Sequence, residues 1–286
     1  MNLHEFSKDI RSVLEKKREE FSLNFIEEKH VYYMKDIDGE IKSNFPSVST
    51  IVKKFHKKFD SEGISLRMSN NDLQKQKKIL QEWKNAADYS ANMGSRVHYE
   101  LECELIKRYG NYKNVREPIF EINEQQKNIS DRMIIAGKKF LDLIQKRGGI
   151  LLDTEIVLGN PHERYCGQPD KVWLFKHKTD DEFGFVITDY KSNKPKNFEV
   201  HNYTDRLYSP FNEYHDNALG HYYLQLPLYG RLLLSMLKDT KYKHIKFYGS
   251  VVVLLKEDET FVEYKVPSKI HNIILNMDLS KILKND

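Results

Sequence analysis

At Gly148-Gly149 the periodicity of the chain changes from helical to strand-like, and that change limits the folds open to it. Before the glycine pair, residues 86–109 and 123–147 read as two long helices, the first preceded by a helical stretch from about residue 71 that includes Trp83. Gly110 is a natural C-cap for the first helix, and the glycine pair closes the second. After it, LLDTEIVLG (151–159), CGQPDKVWLF (166–175) and FGFVITDYK (183–191) are rich in Val, Ile and aromatics, with polar segments between them. They read as three strands, and the charged connection KHKTDDE (176–182) is short enough for a hairpin. Helical pattern returns at 217–238, followed by two more strands, HIKFYGSVVVLL and TFVEYKV, and a helix from Ser268. At the N-terminus the first twenty residues read as a charged helix. Residues 30–34 read as a strand, Asp38-Gly39 as a turn, and SVSTIVKKF after Pro46 as a short helix capped by one of its serines. The order describes an α/β domain: a central mixed β-sheet flanked by helices, with residues 1–82 as a helical and strand extension packed on a core of 83–286.

Hydrophobic residues make up 40% and charged residues 31% of the 286 positions, a globular composition. No run of eighteen apolar residues predicts a membrane span, and the charged N-terminus lacks the apolar stretch of a secretory signal. Cys103 and Cys166 are too few for a disulfide framework, so the expected setting is intracellular and cytoplasm-like. A net charge of +4 says little about nucleic acid, but 42–59 contains no acid and carries Lys42, Lys53, Lys54, Lys57 and Lys58. Such a segment can follow a phosphate backbone, and a solvated helix face would look the same.

Chemistry concentrates where the strands end. Asp189 and Lys191 are two apart on a strand and emerge on one face. Chance alone supplies on the order of five (D/E)-x-K matches in such a chain, and Glu15/Lys17 and Glu27/Lys29 are two of them. What separates Asp189-Tyr190-Lys191 is its place at the end of an apolar strand, where charge is costly. In an antiparallel hairpin Asp170 comes alongside Asp189, and two carboxylates side by side call for a cation, with oxygen donors suiting Mg²⁺ or Mn²⁺. His98 and Glu102 share one face of a helix; an imidazole beside two carboxylates favours Mn²⁺. Gln225 and Tyr229 also share a helix face, with Pro227 expected to disturb the helix between them.

In this order the elements resemble the RecB-like and lambda-exonuclease-like branch of the PD-(D/E)XK nuclease superfamily. Gly94-to-His98 with Glu102, Gly167-to-Asp170, Asp189-to-Lys191 and Gln225-to-Tyr229 carry the resemblance, over roughly residues 83–230. Upstream, the His-x-Tyr and Pro-Ser-Val-Ser pattern of HVYYMKDIDGEIKSNFPSVSTIV resembles the segment leading into the core of the mitochondrial genome-maintenance exonuclease and its viral relatives. The resemblance implies a restriction-endonuclease-like core. It implies His98, Asp170, Asp189 and the carbonyl of Tyr190 as metal ligands, with Lys191 as the catalytic lysine. Glu102 would act through the metal's water shell, and Gln225 and Tyr229 would position the lysine or the DNA phosphate. Glu155 would be an outer or second-metal residue. Gly94, Ser95, Lys53, Lys54 and Lys57 would lie near substrate.

The function so implied is a metal-dependent DNA exonuclease working from ends in replication, recombination or genome processing, beside partner proteins of those processes and of phage or viral source. Two cysteines cannot hold an iron–sulfur cluster within one chain, and no phosphate-binding loop predicts use of ATP. Tyr203, Tyr208, Phe211 and Tyr214 are candidates for stacking unpaired bases. A structure-specific endonuclease of the same fold and a catalytically silent DNA-binding protein are the alternatives.

Overall fold

The computed structural model describes residues 2–29, 31–43, 45–110, 121–177, 182–192, 198 and 205–283. Its centre is a five-stranded mixed sheet made of β4 (Ile150–Thr154), β7 (Lys171–Lys176), β8 (Phe183–Lys191), β9 (Lys246–Leu255) and β10 (Phe261–Lys265). The order across the sheet is β10-β9-β8-β7-β4, with β8 and β9 parallel and the other pairs antiparallel. The parallel pair requires a crossover, supplied by the helix α6 (Ala218–Leu237).

Alternation along the strands divides the core in two. Val172, Leu174, Phe185 and Ile187 pack with Phe6, Ile10 and Leu14 of α1 (Leu3–Glu20) and with Leu224 and Leu228 of α6. Trp173, Tyr190, Val253 and Leu255 point the other way, onto α4 (Leu73–Tyr109) and α5 (Glu124–Lys146). Helices therefore cover both faces of the sheet. The chain is mixed α/β, and among the described residues no helix is long and apolar enough to cross a membrane.

The two helical stretches expected at about 71 and 86–109 are one helix of 37 residues, begun by the Asp72 side chain accepting from the N–H groups of Gln74 and Lys75. The helix therefore passes without interruption through position 82. Met93, Val97, Leu101 and Leu105 recur every four residues and are its contact with the core. Gly137 of α5 brings that contact close, since a Cβ there would lie 2.4 Å from Leu101 Cδ1. His98 and Glu102 each follow a stripe residue by one position and so emerge beside the buried face.

The smaller elements complete one side. A three-stranded sheet joins β1 (Asn24–Ile26), β2 (Val31–Lys35) and β3 (Ile41–Lys42). Ser47 caps α2 (Val48–Val52), accepting from Thr50 N–H at 3.2 Å, and α3 (Ser61–Met68) leads to α4. The C-terminal helices α7 (Ser268–Asn276) and α8 (Ser280–Leu283) follow β10, with Ile270 and Ile274 of α7 in the α1/α6 core.

Two expected strands are each broken in two. The first ends at Thr154 and resumes as β5 (Leu158–Asn160), because Glu155 takes a left-handed conformation with φ +45°. The second is β6 (Tyr165–Gly167) followed by β7, interrupted at 168–170, where Pro169 has no N–H to offer a ladder. β5 and β6 then pair with each other outside the main sheet. The two breaks are tied together: Glu155 N–H donates to the Asp170 carbonyl at 3.1 Å, and the Gln168 amide donates to the Glu155 carbonyl at 2.8 Å. Pro227 lies inside α6, which runs through it without ending. Residues 178–181 of the expected hairpin connection, and His30 of the first expected strand, lie outside the described residues.

Candidate metal centre

The paired breaks matter because they turn two acids toward one place. β7 and β8 are in register from Lys171↔Thr188, so one residue further Asp170 comes beside Asp189. Glu155, at the other break, projects into the same space rather than continuing the alternation of β4. From the opposite side α4 supplies His98, whose Nδ1 lies 3.1 Å from Asp170 Oδ2 and whose Nε2 lies 3.0 Å from the carbonyl oxygen of Tyr190. One donor atom each from His98, Glu155 and Asp170 falls within 4.8 Å of the others. Of the ligands that the resemblance implied, His98, Asp170 and the Tyr190 carbonyl thus meet directly. Glu155 is nearer the centre of this cluster than its expected outer place.

Asp189 is adjacent but oriented differently. Its Oδ2 is 2.7 Å from Lys191 Nζ, while its Oδ1 is buried and accepts no hydrogen bond among the described residues. Asp189 and Lys191 have the parity of Ile187 and therefore face α6, where the Lys191 ammonium sits 4.3 Å from the ring centre of Tyr222. The Lys191 side chain remains one-fifth exposed.

The electrostatics are those of a site short of positive charge. Burial, then the neighbouring Asp170, pushes the Asp189 carboxyl up to about 7. Burial, then Asp170, raises Glu155 well above the ordinary carboxyl range. Burial pulls Asp170 the same way, but His98 and Lys171 outweigh it and hold that carboxyl low. Burial disfavours the Lys191 ammonium, yet Asp189 more than compensates and keeps it charged. Four carboxyl groups, those of Glu102, Glu155, Asp170 and Asp189, face two ammonium groups, those of Lys171 and Lys191. With all four carboxyls ionised and the His98 imidazole neutral, as a metal ligand requires, the group carries two uncompensated negative charges, the deficit that one divalent cation closes. With an imidazole and carboxylate oxygens gathered at His98, Glu155 and Asp170, and with the neighbouring Asp189 Oδ1 unpartnered among the described residues, the residues fit such an ion.

Glu102 Oε1 accepts from the Thr154 hydroxyl at 2.8 Å, which turns it toward the cluster. The Gln225 amide donates to the Tyr229 hydroxyl at 2.9 Å. The Tyr229 ring lies against Gly167, where a Cβ would come within 2.5 Å of Tyr229 Cε1. This pair therefore supports the Gly167-to-Asp170 turn, and the aromatic against Lys191 is Tyr222, two turns before Tyr229 on the same helix. Sequence reasoning missed Tyr222 and Lys171, although their spacing to Gln225 and Asp170 placed both beside the motifs. Lys171 is buried, with its ammonium 4.3 Å from the centre of the Tyr190 ring.

The outlying candidates separate. Lys53, Lys54, Lys57 and Ser95 are exposed, and a Cβ on Gly94 would meet Ser192 Oγ at 3.2 Å, so α4 passes close to the end of β8. Phe211 is fully buried against Phe55, with ring centroids 5.0 Å apart, and cannot stack on a base as expected; it closes the core instead. Tyr208 is half exposed and Tyr214 partly so, whereas Tyr203 lies outside the described residues. No family model matches the chain, and no curated protein matches it.

Proposed function

We propose that this protein is a divalent-metal-dependent DNA nuclease of the PD-(D/E)XK type, with a restriction-endonuclease-like core, acting from DNA ends. The observation that carries the reading is the meeting of Asp170, Asp189 and Lys191 at the end of β7 and β8 with His98 brought in from α4. His98, Asp170, Glu155 and the Tyr190 carbonyl would hold Mg²⁺ or Mn²⁺, with Asp189 Oδ1 as a further oxygen. When bound, such an ion supplies a water of lowered pKa and polarises a phosphoryl oxygen.

The remaining work belongs to the side chains. Lys191, kept cationic by Asp189 and steadied on Tyr222, orients an attacking water and offsets charge growing on the phosphate. Glu102, held by Thr154, would act through the water shell of such an ion. Gln225 and Tyr229 fix the turn that presents Asp170. Lys53, Lys54 and Lys57 offer an exposed basic segment for the backbone of the DNA.

The test is cleavage of end-labelled linear and covalently closed circular DNA with Mg²⁺ or Mn²⁺, comparing wild type with Asp170→Asn and Asp189→Asn. Degradation of linear DNA alone, lost in both variants, supports the reading. Cutting of circles would replace end-dependent action by an endonuclease. Equal degradation by wild type and both variants would remove the nuclease assignment from this site.

A further inference from the structure

A second set of metal-ligating side chains stands apart from the Asp170 cluster. His56 follows the 3-10 turn Lys53–Phe55, Asp216 precedes α6, and His221 lies in the first turn of that helix. The two imidazole rings stack with centroids 3.9 Å apart and planes 22° from parallel. Asp216 Oδ1 is 2.6 Å from His221 Nε2. One donor atom from each of the three residues lies within 4.8 Å of the others.

Backbone groups orient these side chains. His56 Nδ1–H donates to the Lys57 carbonyl at 3.0 Å, which leaves Nε2 as the ring nitrogen free for an ion. The Lys57 N–H donates to Asp216 Oδ2 at 3.1 Å, and Oδ1 stays on the imidazole side. Hydrogen bonds of this kind hold ligands in place around protein metal sites. Two imidazoles stacked at contact distance would repel if both were protonated, and the neutral ring is the form that binds metal.

We propose that His56, Asp216 and His221 form a second metal centre, for a transition-metal ion of the zinc class, that fastens the lysine-bearing segment to the start of α6. Two nitrogens and one carboxylate oxygen are a three-ligand set that Zn²⁺ accepts with water in the fourth position. Mg²⁺ prefers an all-oxygen shell and is the poorer match. The centre joins residues far apart in sequence: Lys53, Lys54 and Lys57 on one side, and Tyr222, the ring beneath Lys191, on the other. It stands whether or not the Asp170 cluster cleaves DNA.

The experiment uses the full chain carrying His98→Ala and Asp170→Asn, which disables the first centre, freed of metal with EDTA and titrated with Zn²⁺ or Co²⁺. Bound metal per chain, visible Co²⁺ absorption and thermal midpoint are read. One equivalent is expected to bind. At an excess about 100-fold above Kd the midpoint should rise by roughly 5 °C. Adding His56→Gln or, separately, Asp216→Asn should weaken binding at least tenfold and remove the rise. Each added change is judged by its own metal-free midpoint, so a variant that fails to fold leaves the decision to the other. No bound equivalent before these changes, or equal binding after either of them in a folded chain, would overturn the proposal.

Discussion

Replacing Lys191 with Met separates the electrostatic role of this residue from its packing. Met is similar in length and can keep the contact with the Tyr222 ring, but it carries no charge. Lys191 Nζ lies 2.7 Å from Asp189 Oδ2. At an effective dielectric of about 20 that separation is worth roughly 6 kcal/mol. Because both side chains are largely removed from water, about half is offset by desolvation, and breaking the pair should cost about 3 kcal/mol. For a chain of this size the metal-free protein should then melt roughly 5 °C lower, measured by circular dichroism in EDTA. Binding of Mn²⁺ should move the other way, several-fold tighter by calorimetry, because a competing positive charge has gone from beside Asp189. DNA cleavage should nevertheless fall about 10²–10³-fold, the usual loss when one stabiliser of developing charge is removed. A folded, tightly metal-loaded and slow variant distinguishes this account from general damage to the site. A metal-free midpoint within a degree of wild type would refute the energetic argument, and cleavage within threefold of wild type would refute the role of Lys191.

Other consequences follow from individual contacts. Glu155→Gln removes a partly buried carboxyl crowded by Asp170, Glu102 and Asp189, so the metal-free protein should become more stable while Mn²⁺ affinity drops at least tenfold by calorimetry. Gly167→Ala places a methyl against Tyr229 and Val48, at 2.5 and 2.7 Å before relaxation; it should cost about 1–3 kcal/mol in urea denaturation and slow cleavage by displacing Asp170. Burial of His271 lowers its pKa to about 4, so between that value and the unfolded 6.5 the unfolded chain binds more protons. Stability from this residue is therefore present near pH 7 and lost as pH falls, by up to about 3 kcal/mol, and the urea midpoint of His271→Gln should change less between pH 7 and 4.5. An equal change in both proteins would contradict the burial of that imidazole.

Local pattern carried much of this protein. The switch of period at Gly148-Gly149 separates helices from strands as the structure does, and Asp189-Tyr190-Lys191 ends a buried strand, because the two-residue repeat of a strand is written directly in Phe185, Ile187 and their neighbours. The hairpin between β7 and β8 made Asp170 and Asp189 partners by register alone. Tertiary structure decided what no repeat encodes. Glu155 and Asp170 reach the centre because two strands break at the same level and are tied to each other by Gln168. Tyr222 rather than Tyr229 lies over Lys191 because the crossover sets how α6 is rotated on the sheet. His56 meets His221 because a short turn folds onto a helix that begins more than 160 residues later. A strand's alternation is a property of adjacent peptides, whereas these meetings depend on which faces of distant elements are buried together, and the chain acquires that information only when the core closes.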